Sequence, residues 1–208
     1  MPNRIQSLFC VEYPLVQAPM TFIVRAELAA AVSGAGGLGM IETLTPEGRP
    51  DLHRVRQLTD KPVAANLMIQ GWKRDPSIVD VLAEAEVRHV FSSAGDPALF
   101  TGRLHEAGMT VVHVVGSLRA AMKAVDAGVD ALVVEGVEGG GFKSALSAPA
   151  RLQLHRPADH RRGRYLRRTL RGCGGGTRRR GSTDGHAHAG KSRSSGAQQF
   201  QECDCRRK

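Results

Sequence analysis

Six short apolar runs recur between residues 15 and 134 at the roughly 20–25-residue spacing that β/α units produce. They occupy residues 15–18, 38–41, 63–68, 87–91, 110–115 and 131–134. Each is too short for a helix and rich in β-branched or large apolar residues, as strands covered on both faces are. Helical periodicity fills the gaps at residues 25–33, 52–59, 76–86, 97–107 and 117–127. Gly34 serves as a stop for the first of these, and Ser117 and Gly128 as cap and stop for the last. Six strands alternating with five helices predict a parallel α/β fold. No dinucleotide-binding glycine fingerprint follows the first strand, so a (β/α)8 TIM barrel is expected in preference to a doubly wound sheet. With about six units recognisable, the barrel is incomplete.

The pattern stops near Ser144. Residues 151–208 contain no Val, Ile, Met or Trp and hold 14 Arg and 2 Lys against 4 acids, a balance of +12. The first 150 residues carry 13 basic and 16 acidic side chains, a balance of −3, so the net +9 belongs to the C-terminal region alone. Such a charge ordinarily points to an anionic partner, yet the part able to fold is mildly acidic. Residues 1–143 are therefore expected to form a partial barrel domain, and residues 144–208 an Arg/Gly-rich tail without a packed core. That tail has too little apolar surface to offset an ordering entropy of about 1–2 kcal/mol per residue.

Several function classes drop out on composition. No run of about 18 apolar residues predicts a membrane span, and the N-terminus lacks a secretory apolar segment. The four cysteines, Cys10, Cys173, Cys203 and Cys205, make no disulfide framework, so a cytoplasmic protein is expected. In the tail only Tyr165 and Phe200 could stack on bases, so no specific nucleic-acid partner is expected. His186, His188, Cys203 and Cys205 lack a standard zinc spacing, so no metal site is read. The sequence sets no oligomeric state.

A barrel gathers its chemistry at the C-terminal strand ends. The residues leaving those ends are Ala18, Pro19, Met20 and Thr21, then Asn66, then residues 92–95, then residues 135–141. Asn66 breaks an apolar run with an amide that needs a partner when buried; the alternative is an amide turned into a loop. Gly139, Gly140 and Gly141 allow backbone amides to approach a ligand, or make only a flexible loop. Glu135 and Glu138 could be an acid/base pair, or solvated loop carboxylates. His113 sits within an apolar run, where a satisfied core histidine competes with a catalytic one.

These residues, in this order, resemble a known family. Residues 13–20, 27–33 and 35–39 look like the opening of nitronate monooxygenases, formerly 2-nitropropane dioxygenases, which are FMN-dependent TIM barrels related to FMN-type enoyl-ACP reductases. Asn66, residues 92–97, His113 and residues 128–131 with Glu135 and Gly136 continue the match, which covers residues 5–143. The resemblance implies that Ala18, Pro19 and Met20 line the flavin, and that Asn66, Glu135 and Gly140 hold it and its ribityl-phosphate arm, with Gly141 in the same glycine run. One departure stands out. The family's catalytic histidine follows the glycine run, where this chain has Phe142 and then Lys143. A phenyl ring takes no proton, so the base is unassigned and His113 is a weak candidate for it.

The resemblance also implies a glycine-glycine turn and an MGT loop on strands seven and eight, which bind the FMN phosphate. Neither is written here. Both return if the tail's codons are re-read from their second base: residues 184–191 then admit MGTRMLAS, residues 158–169 admit PIIAAGGIxDGR, and residues 198–205 admit NNFKNAIV. Three segments in family order and one frame point to a shifted reading frame after Ser144. The expected function is thus an FMN-dependent oxidoreductase acting on alkyl nitronates, with a small-molecule substrate and O₂ as its partners. An FMN-dependent enoyl-ACP-reductase-like enzyme and an inactive frameshifted fragment are the alternatives.

Overall fold

The computed structural model describes residues 4–136 and 153–155. In chain order the elements are α1 (Arg4–Phe9), α2 (Ala26–Gly34), β1 (Gly39–Glu42), α3 (Gly48–Leu58), β2 (Val63–Met68), α4 (Ile69–Trp72) and α5 (Ile78–Glu84). Then follow β3 (His89–Ser93), a 3-10 turn (Pro97–Leu99), α6 (Thr101–Glu106), β4 (Thr110–Val115), α7 (Leu118–Asp126), β5 (Ala131–Val134) and β6 (Gln153–His155). The sheet order is β1-β2-β3-β4-β5-β6, and the first five strands pair in parallel. A sequential parallel sheet with helical returns is the singly wound arrangement of a TIM barrel, here incomplete.

The strands bury both faces, and successive side chains serve different layers. Ile41, Val63, Ala65, Leu67, Val90, Val111, Val115, Leu132 and Val134 pack with Ile78, Leu82, Leu104 and Ala121 of the helices. Met40, Ala64, Phe91, Val112, Ala131 and Val133 form the opposite, interior face and close around Phe9 of α1. Full burial of each large side chain contributes about 1.5–3 kcal/mol. Gly39 marks the closest helix-to-sheet approach. A Cβ there would lie 2.0 Å from the Ala29 carbonyl oxygen of α2.

The expected first strand is present as a ladder rather than a regular strand. Tyr13 N donates to Gly36 O at 2.8 Å, Leu38 N to Leu15 O at 2.9 Å, and Gln17 N to Leu38 O at 3.0 Å, with one parallel bridge between Val16 and Leu38. Pro14 and Pro19 flank this stretch and lack the N–H that would extend it. The Gln17 side chain supplies the next rung, donating to Met40 O at 3.2 Å and accepting from Met40 N at 3.3 Å.

Several boundaries differ from expectation. Helix α2 runs through Gly34, and its left-handed stop is Gly36, at φ +91°. Strand β3 begins at His89 rather than residue 87, because Val87 belongs to the stop of α5. There Glu86 takes φ +53° and Val87 N donates back to Leu82 O at 2.9 Å, an apolar C-terminal cap. Ser92 and Ser93 consequently lie within β3 instead of leaving it. Helix α7 follows its signals: Ser117 Oγ accepts from Ala120 N at 3.2 Å, and Gly128 takes φ +84°.

The tail departs further. Where no strand is expected, Gln153–His155 pairs antiparallel with β5, Val133 facing Leu154 across the ladder. The remaining residues of the tail lie outside the described ones. Among the described residues no helix is long and apolar enough to cross a membrane.

Candidate functional site

Parallel pairing brings the C-terminal ends of β1–β5 to one side of the sheet, and register fixes who meets whom. Asn66 is aligned with Glu42 of β1 and Phe91 of β3, and Met68 with Ser93. Glu135 follows β5 directly, its N–H donating to Val115 O at 2.9 Å. Asn66 and Glu135 thus share the C-terminal end. Asn66 alternates with Ala65 and Leu67 of the helix-side core, which puts it on the interior face with Ala64 and Phe91.

Its amide is held on one side. Asn66 Nδ2 donates to Phe91 O at 3.0 Å, while among the described residues Oδ1 accepts no hydrogen bond. Beside it, the turn after the first ladder is fixed by Gln17, whose Nε2 donates to Ala18 O at 2.6 Å. Met20 is 39% exposed, and its carbonyl accepts from Ile23 N at 3.0 Å and Val24 N at 2.9 Å. Phe22 of that turn is 78% exposed at φ +65°, a left-handed conformation rare for an aromatic residue.

Residues not singled out from the sequence support this end. Thr43, buried just past β1, donates from Oγ1 to Asn66 O at 2.8 Å and accepts from Trp72 Nε1 at 3.2 Å. The Arg49 guanidinium lies 4.6 Å above the Trp72 ring. Buried Glu42 accepts from Leu44 N at 3.0 Å, from Thr45 N at 3.2 Å and from the Thr45 hydroxyl, ordering the loop that carries Thr43. Gln17 carried the same signal as Asn66, an amide inside an apolar run. Thr43 carried none.

His113 goes elsewhere. It alternates with Val112 of the interior face and shares the helix side with Val111 and Val115. Its Nδ1 lies 2.8 Å from Ser92 Oγ. Burial pushes its imidazole down to about 4, opposed by the nearby Asp96 carboxylate and the Ser92 hydrogen bond. Asp96 is in turn held below the usual carboxylate range, chiefly by Lys123 at 2.7 Å. The structure therefore brings Ala18, Pro19, Met20, Asn66 and Glu135 to one end and leaves His113 on the other face of the sheet. Gly140, Gly141, Glu138 and Phe142 lie outside the described residues.

An incomplete β/α barrel with an amide-bearing mouth at its C-terminal strand ends is the class these observations define. Residues 3–78 and 71–156 match the model of the nitronate monooxygenase family, and the chain belongs to that family of oxidoreductases. The family match runs past Ser144 and takes in β6. A methyl-oxo-octahydroindene carboxyl-CoA dehydrogenase of Mycobacterium tuberculosis is 31% identical over 146 residues, which are 69% of this chain and 41% of that protein. A nitronate monooxygenase of Pseudomonas aeruginosa is 29% identical, over 70% of this chain and 53% of its own length. The structure of FabK from Thermotoga maritima superposes with a TM-score of 0.64 at 34% identity, covering 71% of this chain and 48% of FabK. The chain spans about half the length of the curated relatives it matches.

The family is generally flavin-dependent. An isoalloxazine needs an apolar wall and a few fixed polar groups at its edge. The Ala18–Pro19–Met20 stretch with the half-exposed Met20, and an Asn66 Oδ1 that accepts no hydrogen bond among the described residues, are groups of that chemical kind.

Proposed function

We propose that this polypeptide is an FMN-dependent oxidoreductase of the nitronate-oxidising type, with residues 1–143 forming the ring side of its site. The observation that carries the reading is Asn66. It stands on the interior face at the C-terminal strand ends, with Nδ2 anchored on Phe91 O and Oδ1 left without a partner among the described residues. Bound there, FMN would supply the redox chemistry, taking electrons from a nitronate and delivering them to O₂. Ala18, Pro19 and Met20 would line the ring. Asn66, Glu135 and Gly140 would hold the cofactor and its ribityl-phosphate arm, with Gly141 completing the glycine run. The chain's own task is to orient a small substrate over the ring and exclude water from it.

Residues 144–208 are, in the same proposal, the product of a shifted reading frame. Their +12 charge and the three family-like strings in one alternative frame support that reading. The FMN phosphate site is then unwritten in this chain, which binds FMN far more weakly than its frame-restored form.

A second reading is an FMN-dependent enoyl-reductase-like enzyme acting on a thioester. The similarity to FabK and to a carboxyl-CoA dehydrogenase favours it. The deciding experiment assays the frame-restored chain for O₂ uptake with an alkyl nitronate and for NADH oxidation with an enoyl thioester. Turnover in the first assay alone supports the nitronate reading. Turnover in the second alone replaces it with the other, and a chain that takes up no flavin removes both.

A further inference from the structure

Asn66 is held by more than its own strand. A relay of three hydrogen bonds crosses the C-terminal end: the Trp72 indole N–H donates to Thr43 Oγ1 at 3.2 Å, and the Thr43 hydroxyl donates to Asn66 O at 2.8 Å. Asn66 Nδ2 then donates to Phe91 O at 3.0 Å. The relay joins α4, the loop after β1, and two neighbouring strands through one hydroxyl. Thr43 is 1% exposed, so water cannot replace either of its bonds. A hydroxyl has one hydrogen to give and lone pairs to receive with, and here both capacities are used.

We propose that Thr43 is the positioning residue of the mouth, its hydroxyl fixing the Asn66 peptide and side-chain amide and coupling them to Trp72. The functional meaning rests on the reading of Asn66 as a flavin-holding residue; the coupling itself does not. With Thr43 in place, the Asn66 Cα is held at its register position and Oδ1 is presented in one orientation. Without the hydroxyl, the Asn66 carbonyl and the Trp72 indole lose their shared partner, and the end of β2 is free to turn against α4. Because Trp72 is the single tryptophan of the chain, its signal reports this junction alone.

The test uses the full ¹⁵N-labelled chain without cofactor, with the Asn66 side-chain NH₂ pair identified by its loss in Asn66→Asp. Thr43→Val keeps the shape and removes the hydroxyl; Thr43→Ser keeps the hydroxyl. The proposal expects Thr43→Val to move both the Asn66 NH₂ pair and the Trp72 indole N–H resonance and to red-shift the Trp72 emission. Thr43→Ser keeps wild-type positions. Trp72→Phe removes the donor at the far end while leaving Thr43 intact, and it moves the Asn66 pair as well; this arm decides the matter if Thr43→Val does not fold. An Asn66 pair unmoved in Thr43→Val or in Trp72→Phe overturns the coupling. So does a Thr43→Ser chain displaced as far as Thr43→Val, since packing of the methyl would then be the cause. Failure of FMN to bind would count against the flavin reading and leave these resonances as they are.

Discussion

His113 Nδ1 and Ser92 Oγ lie 2.8 Å apart on the helix-facing side of two adjacent parallel strands, turned away from the mouth that Asn66 opens into. The pair is hydrogen-bonded in either imidazole tautomer. It stitches β3 to β4 instead of serving a substrate. Replacing His113 by Phe is expected to cost about 1 kcal/mol of stability, because buried Ser92 keeps only its 3.3 Å bond to Val112 O. FMN affinity of the frame-restored chain should not change. Urea melts and a flavin titration check both halves, and a lost flavin site at unchanged stability would return His113 to the chemistry.

Burial holds both His113 and His89 at about 4, well below the ordinary histidine value near 6.5. Between those limits the unfolded chain binds more protons than the folded one, so stability rises with pH across that window and falls as pH drops through it. The expected acid-side loss is a few kcal/mol, from urea melts at pH 7.5 and 4.5. Paired His113→Asn and His89→Phe substitutions should flatten the pH 4–6.5 limb. A limb of unchanged slope would mean that carboxylates, not these imidazoles, drive it.

His89 invites a substitution of its own. It is 8% exposed, its Nδ1 has no hydrogen-bond partner among the described residues, and its ring meets Phe9 edge-on with centroids 5.2 Å apart. A buried polar atom without a partner costs about 1–3 kcal/mol, so His89→Phe should raise stability at pH 7 by roughly 1 kcal/mol. A fall in the melting temperature would show that the imidazole is satisfied in solution.

The fold was legible wherever a signal was local and strong. Residues 63–68, 110–115 and 131–134 form strands at the expected positions, and Ser117 and Gly128 bound α7 as their chemistry dictates. Val87 misled because an apolar residue after a helix can cap it as readily as begin a strand. The place of Asn66 at the strand ends was legible because an amide inside an apolar run has few uses. The side of His113 was not, since its strand is apolar on both faces and alternation carries no sign. Thr43 was invisible because its two partners come from separate segments, β2 and α4, joined to it only by register and loop shape.

Gly39 tests the packing of α2 on the sheet. A methyl there would sit 2.0 Å from a helix carbonyl oxygen, and backbone cannot yield as a side-chain tip can. Gly39→Ala is expected to destabilise the chain by about 3 kcal/mol. Thermal or urea unfolding measures it, and a loss below about 1 kcal/mol would show that α2 can slide on β1.

The proposed reading makes the described residues the flavin-ring half of a site whose phosphate half is out of frame. Its most direct measurement is the flavin content of two purified proteins, the 208-residue chain and the same chain with its frame restored after Ser144. The first protein is expected to be colourless and FMN-poor and the second yellow, with Asn66→Ala in the second weakening FMN binding at least about tenfold, a loss near 1.4 kcal/mol. A 208-residue chain that purifies stoichiometrically loaded with FMN, or a restored chain that takes up none, would contradict it.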